Sequence, residues 1–310
     1  MSALASDSVP RPNRKAVTGL VPPLVTPLLN GSLDFDSLRR FLDALTPWVS
    51  GVLVGGSVGE VPSLTVDERM LMFQRVRDHI GTESVLCVSI ADNSIENTRM
   101  LAKAAEEVGA DLAVVSPPGY FRNSPRMLRA YFAEIGQFTN VDLCLYDNPV
   151  ATGTELSVDD IALIAEAVPS LTHVKVTDTD LDKVEALLAC PTLSVLSGED
   201  VVLWHQLRRG AAGAMVALPM IFPKLTAEFW TAFVADDLAA AALIYRKLIP
   251  FIHLALGASD YVAVIKTALH EQGLLASPEV RLPLMAPTAR RRDEVVAVLN
   301  AAASERSAES

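Results

Sequence analysis

Cysteine is scarce in this chain: only Cys87, Cys144 and Cys190 occur, widely spaced and without a CxxC pair. An odd, scattered set supports neither a disulfide framework nor a zinc site, and the expectation is buried thiols in a reducing cytoplasm. Histidine is equally sparse. His79, His173, His205, His253 and His270 show neither HxxxH nor HExxH spacing, so no metal centre is expected. Positive charge is in deficit, with 26 Lys and Arg against 37 Asp and Glu and a net charge of −11. Without a basic stripe the chain lacks what a phosphate backbone requires, which argues against a nucleic-acid partner. Long apolar runs are missing too. Pro219, Pro223, Arg246, Lys247 and Pro250 interrupt the most apolar segments, so no unbroken stretch reaches the ~20 residues of a membrane helix. Residues 1–15 carry Arg11, Arg14 and Lys15 around Pro10 and Pro12, lack the apolar core of a secretory signal, and read as a disordered lead-in. Residues 304–310 read as a disordered tail. No GxGxxG follows a first strand, and no GxxxxGK[ST] occurs.

Apolar residues make up 50% of the chain, enough to bury one large core. Short β-branched runs at residues 20–25, 51–55, 85–90, 112–116, 141–146, 173–176, 193–196 and 214–217 alternate with amphipathic stretches, which predicts parallel strands joined by helices. Helix starts are well signed: Thr65 and Glu68 form a capping-box pattern, and Ser124 precedes Pro125 at a helix entry. The strands are continuously apolar rather than alternating, so both sheet faces are covered. Eight such units in residues 16–221 predict a (β/α)₈ TIM barrel, with a doubly wound sheet as the fallback. Residues 222–303 turn Ala- and Leu-rich and predict a C-terminal helical extension with helices near 223–233, 237–255, 259–272 and 289–303. No linker long and polar enough to free it intervenes.

Barrel chemistry collects at the C-terminal ends of strands. Lys175 lies in the run at residues 171–180; desolvation in a strand covered on both faces would favour its neutral, nucleophilic amine, while a frayed strand end facing solvent fits the segment as well. Tyr146 closes the preceding strand and is either a proton shuttle or a rim residue. The turn Gly55-Gly56-Ser57-Val58-Gly59-Glu60 presents free backbone N–H groups suited to an anion, although glycine turns are common. Cys144 shares a strand face with Tyr146 and reads as a packing residue.

Taken together these segments resemble the dihydrodipicolinate synthase and N-acetylneuraminate lyase superfamily over almost the whole chain. Its G-[ST]-T-G-E turn appears at residues 56–60, its Y-N-x-P segment as Tyr146-Asp147-Asn148-Pro149, and its strand-end lysine as Lys175. The resemblance implies a Schiff-base lyase in which Lys175 attacks the 2-oxo group of pyruvate or a related acid and Tyr146 acts as acid and base. It also implies a relay through Ser57 to Tyr120 of a neighbouring subunit, hence a homodimer or tetramer. Neither cofactor nor metal is implied, the imine on Lys175 serving as electron sink. Gly56, Ser57 and Val58 would hold the carboxylate, with Gly198, Asp200 and Ala217 at the strand-7 and strand-8 loops as further substrate positions.

The departures bear on the second substrate, expected to be an aldehyde. Where the synthases carry a carboxylate-gripping arginine, this chain has Ala151, with Arg122 a possible substitute. Val201 and Ala217 stand where sugar-acid lyases are polar, and Val58 replaces a threonine. Alternatives are a 2-keto-3-deoxy sugar acid dehydratase, a dihydrodipicolinate synthase and a non-catalytic 2-oxo-acid sensor.

Overall fold

The computed structural model describes residues 15–255 and 259–308; the expected lead-in lies outside that range except for Lys15. Eight parallel strands form the barrel: β1 (Gly19–Leu20), β2 (Gly51–Val54), β3 (Val85–Ser89), β4 (Leu112–Val115), β5 (Leu143–Asp147), β6 (Leu171–Val176), β7 (Ser194–Ser197) and β8 (Gly213–Ala214). Each pairs with its successor from β2 to β8, and β8 pairs with β1. The seam between β1 and β2 is closed differently. Leu53 N–H donates to the Pro22 carbonyl at 2.9 Å and Leu24 N–H donates to the Leu53 carbonyl at 2.8 Å, around a Pro23–Leu53 bridge. Pro22 and Pro23 have no N–H to give, so regular pairing ends at Leu20 rather than running to residue 25 as expected. The architecture is a (β/α)₈ barrel with a C-terminal helical layer.

The buried residues separate into two clusters that match the two faces of the strands. Val52, Val54, Leu86, Val88, Ala113, Val115, Leu143, Leu145, Val174 and Val176 pack outward with the helices. Leu53, Val85, Cys87, Leu112, Val114, Cys144, Leu196 and Met215 fill the inside, with Tyr146 packed against them. Successive side chains point to opposite faces, so membership of a cluster identifies which way each strand residue points.

Local signals act where expected. The Thr65 hydroxyl accepts from Glu68 N–H at 3.2 Å while the Glu68 carboxylate accepts from Thr65 N–H at 2.9 Å, opening the helix Val66–Ile80. Ser124 caps Pro125–Phe138 through Met127 N–H.

Beyond the barrel lie the helices Leu218–Ile221, Pro223–Val234, Leu238–Ala255, Tyr261–Glu271 and Ala289–Ala308. The last continues past the expected end at Ala303 into the supposed tail, because Glu305, Arg306 and the alanines around them favour helix. Residues 309–310 lie outside the described range. One expectation needs amending: Leu238–Ala255 is long and apolar enough, at a mean hydropathy of 1.4, to meet the criterion for a membrane span. In the fold its Leu248, Phe251 and Ile252 are buried, with Phe251 edge-on to Phe222 at 5.5 Å.

This layer is fastened to the barrel by charge as well as packing. Arg281 grips Glu68 with two hydrogen bonds of 2.7 and 2.6 Å. Those bonds, opposed by burial and aided by Thr65, hold the Glu68 carboxyl at about 2, against an ordinary 4.5. A depressed folded value means the contribution is fully present above 4.5 and is lost as pH falls toward 2. Glu68→Gln should therefore cost about 1 kcal/mol near neutral pH, a melting shift of roughly 2 °C, allowing for solvent screening. Thermal melts at falling pH should show variant and parent converging; a gap that persists at the acid end would refute the assignment.

Candidate active site

On β6, Val174 and Val176 face the helices, which turns Lys175 between them toward the barrel interior. The β5–β6 register sets Tyr146 directly beside Lys175. Lys175 is 3% exposed, its Nζ lies 4.0 Å from the centre of the Tyr146 ring, and it forms no ion pair among the described residues. Room for its chain is made on the next strand end, where a β-carbon at Gly198 would meet Lys175 Cε, Lys175 Cγ and Thr177 Cγ2, each at 2.9 Å. Glycine is required there by close approach rather than by backbone angle.

The Tyr146 hydroxyl has a defined partner. Asn148 Nδ2 donates to it at 2.9 Å, and the Asn148 Oδ1 accepts from Ala151 N–H at 3.1 Å, which fixes the amide's orientation. A donor on the phenol oxygen leaves the phenol's own proton available to another group. Tyr146, Gly55, Gly56, Ser57, Ser116 and Ala151 share the wall of a cavity of about 420 Å³. Among the described residues nothing accepts from the N–H of Ser57 or Val58. Lys175 is not in that wall; Tyr146, against which it rests, is.

The other expected positions are distributed as follows. Val58 is buried, and Tyr120 is 83% exposed, beside Gly119 in the cavity wall and edge-on to Phe121 at 5.1 Å. Asp200 is buried with its carboxylate accepting from the N–H of Ala217 at 3.0 Å, the N–H of Leu218 at 3.1 Å and the Tyr261 hydroxyl at 3.3 Å. Burial holds its carboxyl above the usual range in spite of those donors. Glu199 is raised as well, by burial and then by the charge of Asp200. Burial pushes Cys144 up to about 12, which leaves its thiol a poor nucleophile.

Comparison with known proteins is consistent with this geometry. The model of the dihydrodipicolinate synthetase family matches residues 16–302. A 4-hydroxy-tetrahydrodipicolinate synthase of Moorella thermoacetica is 31% identical over 280 residues, 89% of this chain and 95% of the relative. The enzyme of the same name from Methanocaldococcus jannaschii is 29% identical over 86% of this chain and 92% of its own length. Among solved structures, YagE of E. coli K12, a prophage protein of the family in complex with pyruvate, superposes with a TM-score of 0.88 at 25% identity, covering 93% of this chain and 99% of that one. The chain belongs to the dihydrodipicolinate synthetase family. Members are Schiff-base lyases of the aldolase type, and this enzyme is one of them.

Several residues of the site were not anticipated from the family's motifs. Asp147, 1% exposed, pairs with Lys183 at 2.6 Å, and Lys183 reaches Asp178 at 3.2 Å. Thr177 binds the Asp147 carbonyl through its N–H at 3.1 Å and its hydroxyl at 2.8 Å, so the strand ends bearing Tyr146 and Lys175 are laced together. Burial alone would depress Lys183, but its hydrogen bond and charge contact with Asp147, then with Asp178, outweigh this and hold the ammonium above its ordinary 10.5. A raised folded value places this contribution at full strength below 10.5, with loss only at more alkaline pH. Lys183→Met strands the Asp147 carboxylate and should cost ~3 kcal/mol at neutral pH. Adding Asp147→Asn should restore most of it; denaturant melts of the two variants check this, and equal losses would show that charge pairing is not the cause.

Proposed function

We propose that this enzyme forms its imine at Lys175, with pyruvate or a related 2-oxo acid, and joins or splits a carbon–carbon bond at C3 using an aldehyde partner. The observation that carries this reading is the amine of Lys175, buried, without an ion pair among the described residues, and resting on the ring of a tyrosine that opens onto the cavity. The amine adds to C2, the carbinolamine loses water, and the resulting iminium accepts the electron pair released when C3 loses a proton or the C3–C4 bond breaks. The enamine so formed attacks the aldehyde carbon in the condensing direction, and water then releases the product and the free amine. Tyr146 serves as the proton carrier, its oxygen held by Asn148. The N–H groups of Ser57 and Val58, without an acceptor among the described residues, are suited to the substrate carboxylate. No step calls for a metal or an organic cofactor.

The second substrate is an uncharged or apolar aldehyde. Ala151 in the cavity wall offers no cation, and Arg69, the guanidinium that does line the cavity, is already committed to the carbonyls of Ser89 and Ala91 and to Asp92. Ala217 is buried with its N–H bound to Asp200, which leaves a polyol chain little to bond there. The exposed Tyr120 and Phe121 support a homo-oligomer in which a second copy covers that lip and Tyr120 extends the relay of Ser57. A cytoplasmic location agrees with the deeply buried, unreactive thiols of Cys87 and Cys144.

Borohydride reduction in the presence of pyruvate should leave a stable adduct on the peptide carrying Lys175, absent in Lys175→Ala and formed roughly 10²-fold more slowly in Tyr146→Phe. An adduct on another lysine, or one surviving in Lys175→Ala, would end this reading. In a panel of aldehydes with pyruvate, uncharged partners should be preferred, and Ala151→Arg should shift preference toward carboxylated ones by about tenfold or more. A parent enzyme that accepts only polyhydroxylated or carboxylated aldehydes would contradict the assigned partner.

A further inference from the structure

The glycine turn at residues 55–60 owes its shape to contacts on its far side. Gly55 has φ +78°, and a β-carbon at Gly59 would sit 2.9 Å from the Leu24 carbonyl oxygen. The Gly59 carbonyl accepts from the Thr26 hydroxyl at 2.7 Å. Glu60 then takes a left-handed conformation, φ 60°, which a residue with a β-carbon adopts only where its surroundings hold it.

What holds it comes from the C-terminal layer. The Glu60 side chain is fully buried and ion-paired to the equally buried Lys266 of the helix Tyr261–Glu271. Its other oxygen accepts from Arg281 N–H at 2.8 Å, and Lys266 also donates to the Glu279 carbonyl at 2.6 Å. Two opposite charges removed from water attract strongly, and each is left uncompensated if the other moves. Burial pulls the Lys266 ammonium below its ordinary range, with Glu60 opposing.

We infer that Lys266 is a positioning residue for the 2-oxo acid: by anchoring Glu60 it fixes the turn whose Ser57 and Val58 N–H groups receive the carboxylate. The inference rests on the function proposed above. It makes the helix Tyr261–Glu271 part of the binding apparatus although Lys266 itself never meets the ligand. Loss of the anchor would then weaken capture of the acid while leaving the chemistry at Lys175 and Tyr146 nearly intact.

Lys266→Met alone strands a buried carboxylate and risks unfolding, so the informative variant is Glu60→Gln with Lys266→Gln, which is neutral and of similar length. Borohydride trapping on Lys175 is measured against pyruvate concentration in the parent, the double variant and Glu271→Gln, which breaks the 2.7 Å Glu271–Arg292 pair at the end of the same helix and touches no partner of Glu60. The double variant should need at least tenfold more pyruvate for half-maximal trapping, with the limiting rate within threefold of the parent and Glu271→Gln unmoved. Half-saturation equal to the parent, or an equal shift in Glu271→Gln, would overturn the inference. If the parent gives no adduct at all, the Lys175 reading falls, and this one with it.

Discussion

The pairing of Tyr146 with Lys175 across the β5–β6 ladder is the constraint on which the rest of the site depends. In a parallel ladder the partner of each residue is fixed by register, and a slip of one position would send Lys175 into the helical layer and bring Val174 or Val176 inside. That register is protected twice. The outward residues of both strands are committed to the main core, and beyond the last pair Thr177 and Lys183 tie the two chain segments to Asp147. The amine and the phenol are thus held by backbone geometry before any side chain chooses a rotamer. Gly198 then decides that the amine has somewhere to lie.

The C-terminal helices reach the same end of the barrel by a different route. Loops beyond the strand ends lack ladder hydrogen bonds, so their shape depends on side-chain anchors. Three carboxylates supply them here. Glu60 is held by Lys266 and the backbone of Arg281, Glu68 by the Arg281 side chain, and Asp200 by the hydroxyl of Tyr261 through its carboxylate and that of Tyr245 through its carbonyl. Burial pushes Tyr245 up to about 12 and Tyr261 well above its ordinary value, so both phenols remain protonated donors to Asp200 at neutral pH. Few aromatics are present, and several cluster in this layer: Trp204, in the helix Leu203–Arg209 that follows β7, packs on Phe229, Phe233 and Tyr245.

Much of this was legible in the residues, and the illegible part has a common cause. Eight apolar runs, the Thr65–Glu68 capping box and the strand-end Lys175 are local patterns, and local patterns survive in one dimension. Pro22 and Pro23 were visible as well, yet what they do to the barrel seam depends on Leu53, which lies beyond the next helix. The anchors Lys266, Lys183 and Tyr261 were missed because each acts on a residue far away in the chain or across a turn. Lys266 did leave a trace, a lone lysine in the apolar run Val262-Ala-Val-Ile-Lys266-Thr-Ala-Leu269, and a cation placed there needs a buried partner. Cavity membership was the least accessible. Ser57 and Tyr146 share a wall, whereas Asp200, grouped with them by motif, is turned toward the N–H groups that follow β8.

The division between anchored and free polar groups bears on what the enzyme accepts. Near the amine, the glycine turn presents N–H groups that have no acceptor among the described residues, which favour an anion without selecting much else about it. Farther along the cavity, the charged groups are consumed by the fold: Arg69 spans three acceptors and Asp92 is one of them. A ligand reaching that region would have to displace those contacts to be read by charge, and a buried guanidinium that loses its acceptors is penalised by more than a surface contact returns. Under the proposed function, selectivity for the second substrate would fall to shape and to the apolar walls around Ala151 and Val61, and apolar contacts discriminate far more weakly than hydrogen bonds do.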